Sequence, residues 1–408
     1  MRNARAGQLE VFDGGLLEPH ILVGVTSTQT CSLLEAKSQA LRKAGFRVSI
    51  VSGPGELSVG EMRFNALVDH FVPMARGVDL FRDVFSFWRM LHLIGKLKPH
   101  IVEFSTPKAG LLGNIAAWIR RVPIRVYFLR GLRLETASGV MRIVLLWSER
   151  VAAACAHVVV ANSKSLTERA HELGISNVSK TTMLGVGSSN GVDISRFSPG
   201  NSRVREQFAI PENVHVIGFV GRLTADKGIP ELLEAFAKIL RTQPECYLLL
   251  VGYFDAATDA LGRRVRERIE GHPRIVCTGL VADAAPYYKA MDVMVLPSWR
   301  EGFPNVILEA AASGVPVVAT TCTGSRDAVV PEVTGLLVPP GVASAITEAV
   351  LRLLGDTEIR GRMSAASREW AVKHFEQKRV MAMTVQFYEE LLKRWRNEAI
   401  SGSEAIRD

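Results

Sequence analysis

Pro297-Ser-Trp-Arg-Glu301-Gly-Phe-Pro-Asn305-Val-Ile-Leu-Glu309-Ala310 follows directly on the apolar run Val293 to Leu296. An aliphatic run that opens into a Gly- and Pro-containing loop and then a longer apolar segment reads as strand, loop and helix. Proline suits the start of a helix but not its interior, so Pro304 predicts a helix beginning near Asn305. The N–H groups of its first turn have no intrahelical acceptor and point back into the loop. Together with the helix dipole, which contributes about 0.3 to 1 kcal/mol per charge, they favour an anion, and a diphosphate is the natural guest.

Two glutamates beside an anion site call for a ligand that also offers hydroxyl donors. A nucleotide sugar does so, through its ribose and its sugar, and carboxylates are acceptors. A retaining glycosidase pair is disfavoured because its carboxyls stand about 5 to 5.5 Å apart. Eight residues span about 12 Å even as a helix. Glu301 and Glu309 are therefore expected to touch different parts of one ligand.

A second turn carries the complementary charge. In Gly218-Phe-Val-Gly221-Arg222-Leu-Thr-Ala-Asp226-Lys227-Gly228 a strand ends in Gly and delivers two cations before a helix starting near Pro230. Arg presents a planar fork and Lys a mobile point charge, and a hydrogen bond to a charged group contributes about 1.5 to 3 kcal/mol. In a site without a metal these two would neutralise the leaving nucleoside diphosphate.

Strand-like runs recur between helical patterns at Ile21 to Val25, Arg47 to Val51, Ile101 to Phe104, Ile124 to Phe128 and Val158 to Ala161. The pattern restarts with His215 to Val220, Tyr247 to Val251, Arg274 to Cys277, Val293 to Leu296 and Val317 to Ala319. Alternation of this kind means parallel sheet, here in two units. The turn-rich stretch Gly185 to Asp193 and Phe197-Ser-Pro-Gly200 places the boundary. We expect an N-terminal Rossmann-like domain over 1–190 with a flexible segment 1–19, a second over 191–375, and a C-terminal helix with a frayed polar tail over 376–408 that packs back on the first domain. Two doubly wound α/β domains would face each other across a cleft, with ligands beyond the carboxyl ends of the strands.

The 408 residues suit two cores rather than one. Five separated cysteines without a C-x-x-C pair argue against both a zinc site and a disulfide framework. The first twenty residues lack a signal-peptide core and no window is uniformly apolar, which predicts neither secretion nor a membrane span. Residues 1–190 hold 23 Lys and Arg against 14 Asp and Glu, whereas 191–408 hold 26 against 27, so the net charge of +8 sits in the first half. That half is expected to meet something anionic. Dispersed basic residues without a recognised motif make nucleic acid the weakest candidate.

With these elements in hand, the sequence resembles the retaining glycosyltransferases of family 4, whose fold is GT-B. The resemblance rests on the E-x7-E element Glu301 to Glu309, the G-R-L-x-x-x-K-G element Gly221 to Gly228 and the connector Asn190-Gly-Val-Asp193. It extends through Thr106-Pro-Lys-Ala-Gly110, Arg130-Gly131-Leu132 and Glu135-Thr136, which look like members that build capsule, exopolysaccharide or O-antigen repeat units on a polyprenyl-diphosphate carrier. The resemblance implies that Gly221, Arg222 and Lys227 hold the donor diphosphate, that Glu309 binds the ribose and that Glu301 lies by the transferred sugar. Gly302, Phe303, Pro304, Asn305 and Val306 would line the donor, and Thr106, Lys108, Arg130 and Arg133 the acceptor. It further implies a UDP-sugar donor, a lipid-linked glycan acceptor, no metal or other cofactor, and a cytoplasmic protein at the inner membrane face.

Two departures stand out. Where many relatives carry His-Gly after the fourth strand, this chain has Arg130-Gly131, and Arg cannot serve as a base near neutrality. Arg130 would instead stabilise phosphate charge, or simply pair with Glu135. The usual glycine pair after the first strand is replaced by Thr26-Ser-Thr-Gln-Thr30. Asp79 to His100 mixes aromatic and basic residues and reads as an amphipathic helix on the sheet. Its sharper reading, with Arg120, Arg121 and Arg125, is a face resting on anionic lipid. A nucleotide-sugar epimerase or hydrolase, or a non-catalytic nucleotide-sugar sensor, is the alternative.

Overall fold

A computed structural model describes residues 18–54, 65–74, 77, 79–255 and 261–404. Most of the segment expected to be flexible, 1–17, lies outside them. Seven parallel strands form the first sheet: β1 (His20–Gly24), β2 (Arg47–Ser52), β3 (His70–Phe71), β4 (Ile101–Ser105), β5 (Ile124–Leu129), β6 (Val158–Ala161) and β7 (Thr181–Thr182). Their spatial order is β3-β2-β1-β4-β5-β6-β7. The second sheet holds β8 (Val216–Val220), β9 (Tyr247–Val251), β10 (Ile275–Cys277), β11 (Val293–Leu296), β12 (Val317–Thr320) and β13 (Gly335–Val338), in the order β10-β9-β8-β11-β12-β13. These are two Rossmann-like parallel-sheet domains. Both sheets reverse direction of winding between their first and fourth strands, which puts the switch points at β1/β4 and β8/β11.

The central strands are apolar on both faces because helices cover both. The helices that concern the site are α1 (Glu35–Lys43), α2 (Leu80–Leu97), α3 (Pro107–Ile119), α4 (Gly139–Cys155), α5 (Lys164–Glu172), α6 (Ile229–Ile239), α7 (Asn305–Ala312), α8 (Ala343–Gly355), α9 (Thr357–Phe375) and α10 (Gln377–Glu404). α6 is strongly one-sided, burying Leu232, Leu233, Phe236 and Ile239 against the second sheet. α2 starts at Asp79, whose carboxylate caps the Arg82 N–H at 3.1 Å, and ends at Lys98 in the left-handed region. The capping contact is worth about 1 kcal/mol.

The chain crosses back at its end. Val192 pairs with Glu376, and the Val192 N–H donates to the Phe375 carbonyl at 2.7 Å. From there α10 lies on α1, with Tyr388 and Leu392 in the core of the first domain beside Ile21, Leu41 and Phe128. Tyr388 donates its hydroxyl to buried Glu103, which also pairs with buried Lys37. Burial alone would raise the Glu103 pKa, but the charges of Lys37 and Arg130 outweigh it and hold the carboxyl ionised. The polar tail expected to fray continues α10 as far as Glu404, and its last four residues lie outside the described part.

Candidate active site

The cation-bearing turn and the carboxylate-bearing loop leave adjacent strands at the second switch point. Gly228 has φ +73°, starts α6, and packs so closely that a Cβ there would lie 2.1 Å from the Pro297 carbonyl oxygen. Only glycine allows both the left-handed backbone and that approach. The contact brings Lys227 onto Glu301, Nζ to Oε1 at 2.5 Å, while Ser298 donates to the same oxygen at 2.7 Å. Arg222 reaches Asp255 at 2.9 Å. Arg300 pairs with Asp226 at 2.7 Å. Burial would raise the Asp226 pKa, yet the Thr224 hydroxyl bond and the charges of Arg300, Lys227 and Arg222 keep it below the usual carboxylate range. Arg300 thus joins Arg222 and Lys227 around half-buried Asp226, and each of the three cations is held by a carboxylate.

α7 begins at Asn305 as the sequence indicates, with Pro304 as the extended residue just before it. One turn further, Glu309 accepts a hydrogen bond from the hydroxyl of fully buried Tyr288 at 2.7 Å. Burial raises the Glu309 pKa more than this bond lowers it. Phe303 packs against Phe375 at 5.3 Å between ring centroids, anchoring the loop to the end of α9. Gly302 and Pro304 are buried, and Val306 packs against the second domain's core.

Across the cleft, the backbone of Arg130-Gly131 lies directly against Gly302, where a Cβ would be 1.7 Å from the Arg130 carbonyl oxygen. The Arg130 side chain does not pair with Glu135. It donates to Ser189 at 2.7 Å and stacks over Phe128 at 4.8 Å, while its Nε and Nη2 are buried without a hydrogen-bond partner. Glu135 instead accepts from Thr323 of the facing domain at 2.7 Å and lies 3.7 Å from Arg169.

Of the residues expected to face the acceptor, Thr106 and Lys108 stand at the first switch point, and Arg130 and Arg133 follow β5. Thr106, at φ +72°, holds its hydroxyl 2.6 Å from that of Thr26, so β1 and β4 are tied at their carboxyl ends. The stretch Thr26 to Thr30, which replaces a glycine pair, leads into a 3-10 helix over Thr28–Leu34. Lys108 is in the first turn of α3, paired with Asp83 at 2.6 Å and with the Gly77 carbonyl. Arg133 is exposed in a 3-10 turn, Arg133–Glu135. Thr106, Lys108 and Arg133 line one cavity of about 1580 Å³ with Arg222, Asp226, Trp299 and Arg300 of the other domain. Lys227, Glu301 and Glu309 lie outside that lining. Sequence reading missed Arg300, Asp255, Ser298 and Tyr288. Arg300 was visible as a neighbour of Glu301, whereas Tyr288 comes from a remote short helix and gave no signal.

Switch points that face each other across a cleft, one of them cationic, are the arrangement of a GT-B glycosyltransferase, and comparison with known proteins agrees. The profile described as glycosyl transferases group 1 matches residues 214–356, and that of the glycosyl transferase 4-like domain matches residues 34–187. The chain is 35% identical over 371 residues to CapM, a capsular polysaccharide biosynthesis glycosyltransferase of Staphylococcus aureus, covering 90% of this chain and 96% of that one. It is 29% identical over 312 residues to the Escherichia coli UDP-Gal:alpha-D-GlcNAc-diphosphoundecaprenol alpha-1,3-galactosyltransferase, covering 75% and 79%. Among solved structures, sucrose-phosphate synthase of Thermosynechococcus elongatus superposes with a TM-score of 0.76 at 22% identity, covering 92% of this chain and 100% of that one, which shows the fold. The chain belongs to the group 1 glycosyltransferase family.

Proposed function

We propose that this glycosyltransferase moves a sugar from a UDP-sugar to a polyprenyl-diphosphate-linked glycan, with retention at the anomeric carbon and without a metal, in the assembly of a capsular or related surface polysaccharide. The observation that carries the reading is that Arg222 and Arg300 line the interdomain cavity at Asp226, with Lys227 held on Glu301 of the adjoining loop. Positive charge supplied by fixed side chains and backbone N–H groups stabilises a departing diphosphate without a divalent ion. Uridine and the lipid-linked acceptor are drawn from the Escherichia coli relative, and capsule from the Staphylococcus one.

In the reaction the C1–O bond to the diphosphate breaks, with its electron pair left on the phosphate oxygen. The acceptor hydroxyl attacks C1 from the same face, and its proton passes to that oxygen. Glu309 accepts from the ribose hydroxyls. Glu301, oriented by Lys227 and Ser298, accepts from the sugar, and Gly221 and the Gly302 to Val306 backbone line the donor. Arg130 supplies charge at the domain contact rather than a base.

The acceptor lies in a membrane, and α2 offers a surface for one. Met90, Leu91 and Ile94 pack on the sheet, but Phe81 and Trp88 are 91% and 62% exposed on its other side, flanked by Arg82 and Arg89. Arg120 and Arg125 do not join this face, being bonded to the carbonyls of Leu91 and Cys155. No helix among the described residues is long and apolar enough to cross a membrane. We therefore read the protein as peripheral, resting on the cytoplasmic leaflet.

The test is transfer of radiolabelled sugar from UDP- and GDP-sugars to polyprenyl-diphosphate glycans in EDTA, with Arg222→Ala beside the intact protein. Labelled lipid from a UDP-sugar, made by the intact protein alone, is the expected result. Transfer that requires a divalent metal would refute the cationic clamp. Release of free sugar or an altered nucleotide sugar would point to a hydrolase or epimerase.

A further inference from the structure

The cavity that holds Arg222 and Arg300 does not end at the polar acceptor residues. It continues between α2, α3 and α4, where its walls become apolar: Val84, Leu112, Ile115, Met141, Val144 and Trp147. Pockets for drug-sized ligands measure about 300 to 1000 Å³, and this cavity, at about 1580 Å³, is larger. α3 starts at the cleft with Lys108, and Ile115 lies about 11 Å along it at 1.5 Å per residue. α4 follows the Arg133 turn and presents Met141, Val144, Trp147 and Val151 along about 15 Å of one side. Both helices leave the carboxyl end of the same sheet, so the groove runs outward from the cleft.

Its walls are not satisfied core. Val84, Met141, Val144 and Trp147 are all exposed, Trp147 by 58%. Apolar surface on this scale marks a binding site rather than a solvated face. A bilayer alone would be met by the outward residues Phe81 and Trp88. A concave groove continuous with the reaction cleft suits a ligand with a sugar at one end, negative charge in the middle and an apolar chain at the other.

We propose that this groove binds the first few isoprene units of the acceptor's polyprenyl chain, with the diphosphate at its cleft end near Arg133 and the N-terminus of α3. The proposal rests on the lipid-linked acceptor read above. Continuity favours a prenyl diphosphate over a peptide, since the passage from polar cleft to apolar wall begins at exposed Arg133, with Lys108 beside it paired to Asp83.

The test measures binding of geranylgeranyl diphosphate and of inorganic diphosphate, each below micelle-forming concentration and with UDP saturating to block the donor subsite. We expect the prenyl compound to bind at least about tenfold more tightly, the factor supplied by burying two methylene groups. Val144→Asp and Trp147→Gln, both at exposed positions, should each abolish that preference while leaving UDP affinity and melting temperature unchanged. Phe81→Ser should weaken vesicle binding but keep the preference. Equal binding of the two diphosphates, or a preference that survives both groove variants, would overturn the proposal. If prenyl binding holds but no diphosphate-linked glycan is ever glycosylated, the functional reading fails and the groove stands. If glycosylation holds without prenyl preference, the groove alone fails.

Discussion

Glu309 shows how one side chain acquires a role from its surroundings. An acid on a surface helix would be unremarkable, but here Tyr288 orients it and burial raises its pKa. A carboxylate that receives two ribose hydroxyls must be ionised, since protonation turns one acceptor oxygen into a donor. Because the pKa is raised, protonation sets in at higher pH than for an ordinary glutamate. The donor KM should therefore climb as pH falls, starting at a higher pH than for an ordinary glutamate, and Glu309→Ala should flatten that climb. At neutral pH the same substitution should raise the donor KM by on the order of tenfold to a hundredfold, the worth of a charged hydrogen bond. Steady-state kinetics against donor concentration from pH 5 to 8 would decide it, and an unchanged KM would remove the ribose role. The Glu301 and Glu309 pattern was legible because both lie in one short stretch behind a strand. Their partners were not, because Lys227 comes from 74 residues away and Tyr288 from another element altogether.

Secondary structure was most legible where elements were long and buried. β6, β9 and β11 fall on the residues their sequence indicates, because unbroken aliphatic runs are what a parallel strand covered on both faces requires. The two-residue strands β3 and β7 are too short to show any period, and β13 opens on a glycine. α2 was legible as an amphipathic helix, but its outer aromatic face was not, since period alone cannot say which of two apolar faces the sheet takes. α4 has the same double character and is fixed to the sheet by a polar contact. Its Glu149, 2% exposed, accepts from the Tyr127 hydroxyl, and burial lifts its pKa from 4.5 to about 7. Between those values the folded chain binds the proton and the unfolded chain does not, so stability falls as pH rises through that window. The loss approaches about 3 kcal/mol by pH 7 and levels off above it. Glu149→Gln keeps an acceptor for Tyr127 and cannot ionise. Its denaturant midpoint should stay level from pH 5 to 7.5 while that of the parent declines, and parallel curves would show the carboxyl to be ionised in the fold throughout.

The two domains meet through backbone as well as side chains. Gly324 N–H donates to Ser165 at 2.8 Å, Asp327 accepts from the Ser165 N–H at 2.9 Å, Thr323 donates to Glu135 at 2.7 Å and Arg300 to Thr136 at 2.8 Å. Each bond joins the first domain to the segments that follow β11 and β12, so the cleft is held shut from the side where the donor would lie. The tightest point is Gly302, whose φ is not among the positive ones, so alanine is allowed there by backbone conformation. What forbids it is the Arg130 carbonyl, 1.7 Å from the added Cβ. Since that atom belongs to the facing domain, the clash is relieved by separating the domains rather than by unfolding either. Gly302→Ala should leave UDP affinity unchanged, because the loop after β11 keeps its conformation, and should lower the melting temperature by loosening the interdomain bonds. Its X-ray scattering profile in UDP should give a larger radius of gyration than the parent's. Its kcat should fall by about a hundredfold, the penalty of holding reacting groups roughly 1 Å out of place. A variant as compact and as active as the parent would mean that the contact between Arg130 and Gly302 yields without cost. One that loses UDP binding instead would place the clash inside the donor loop and not across the cleft.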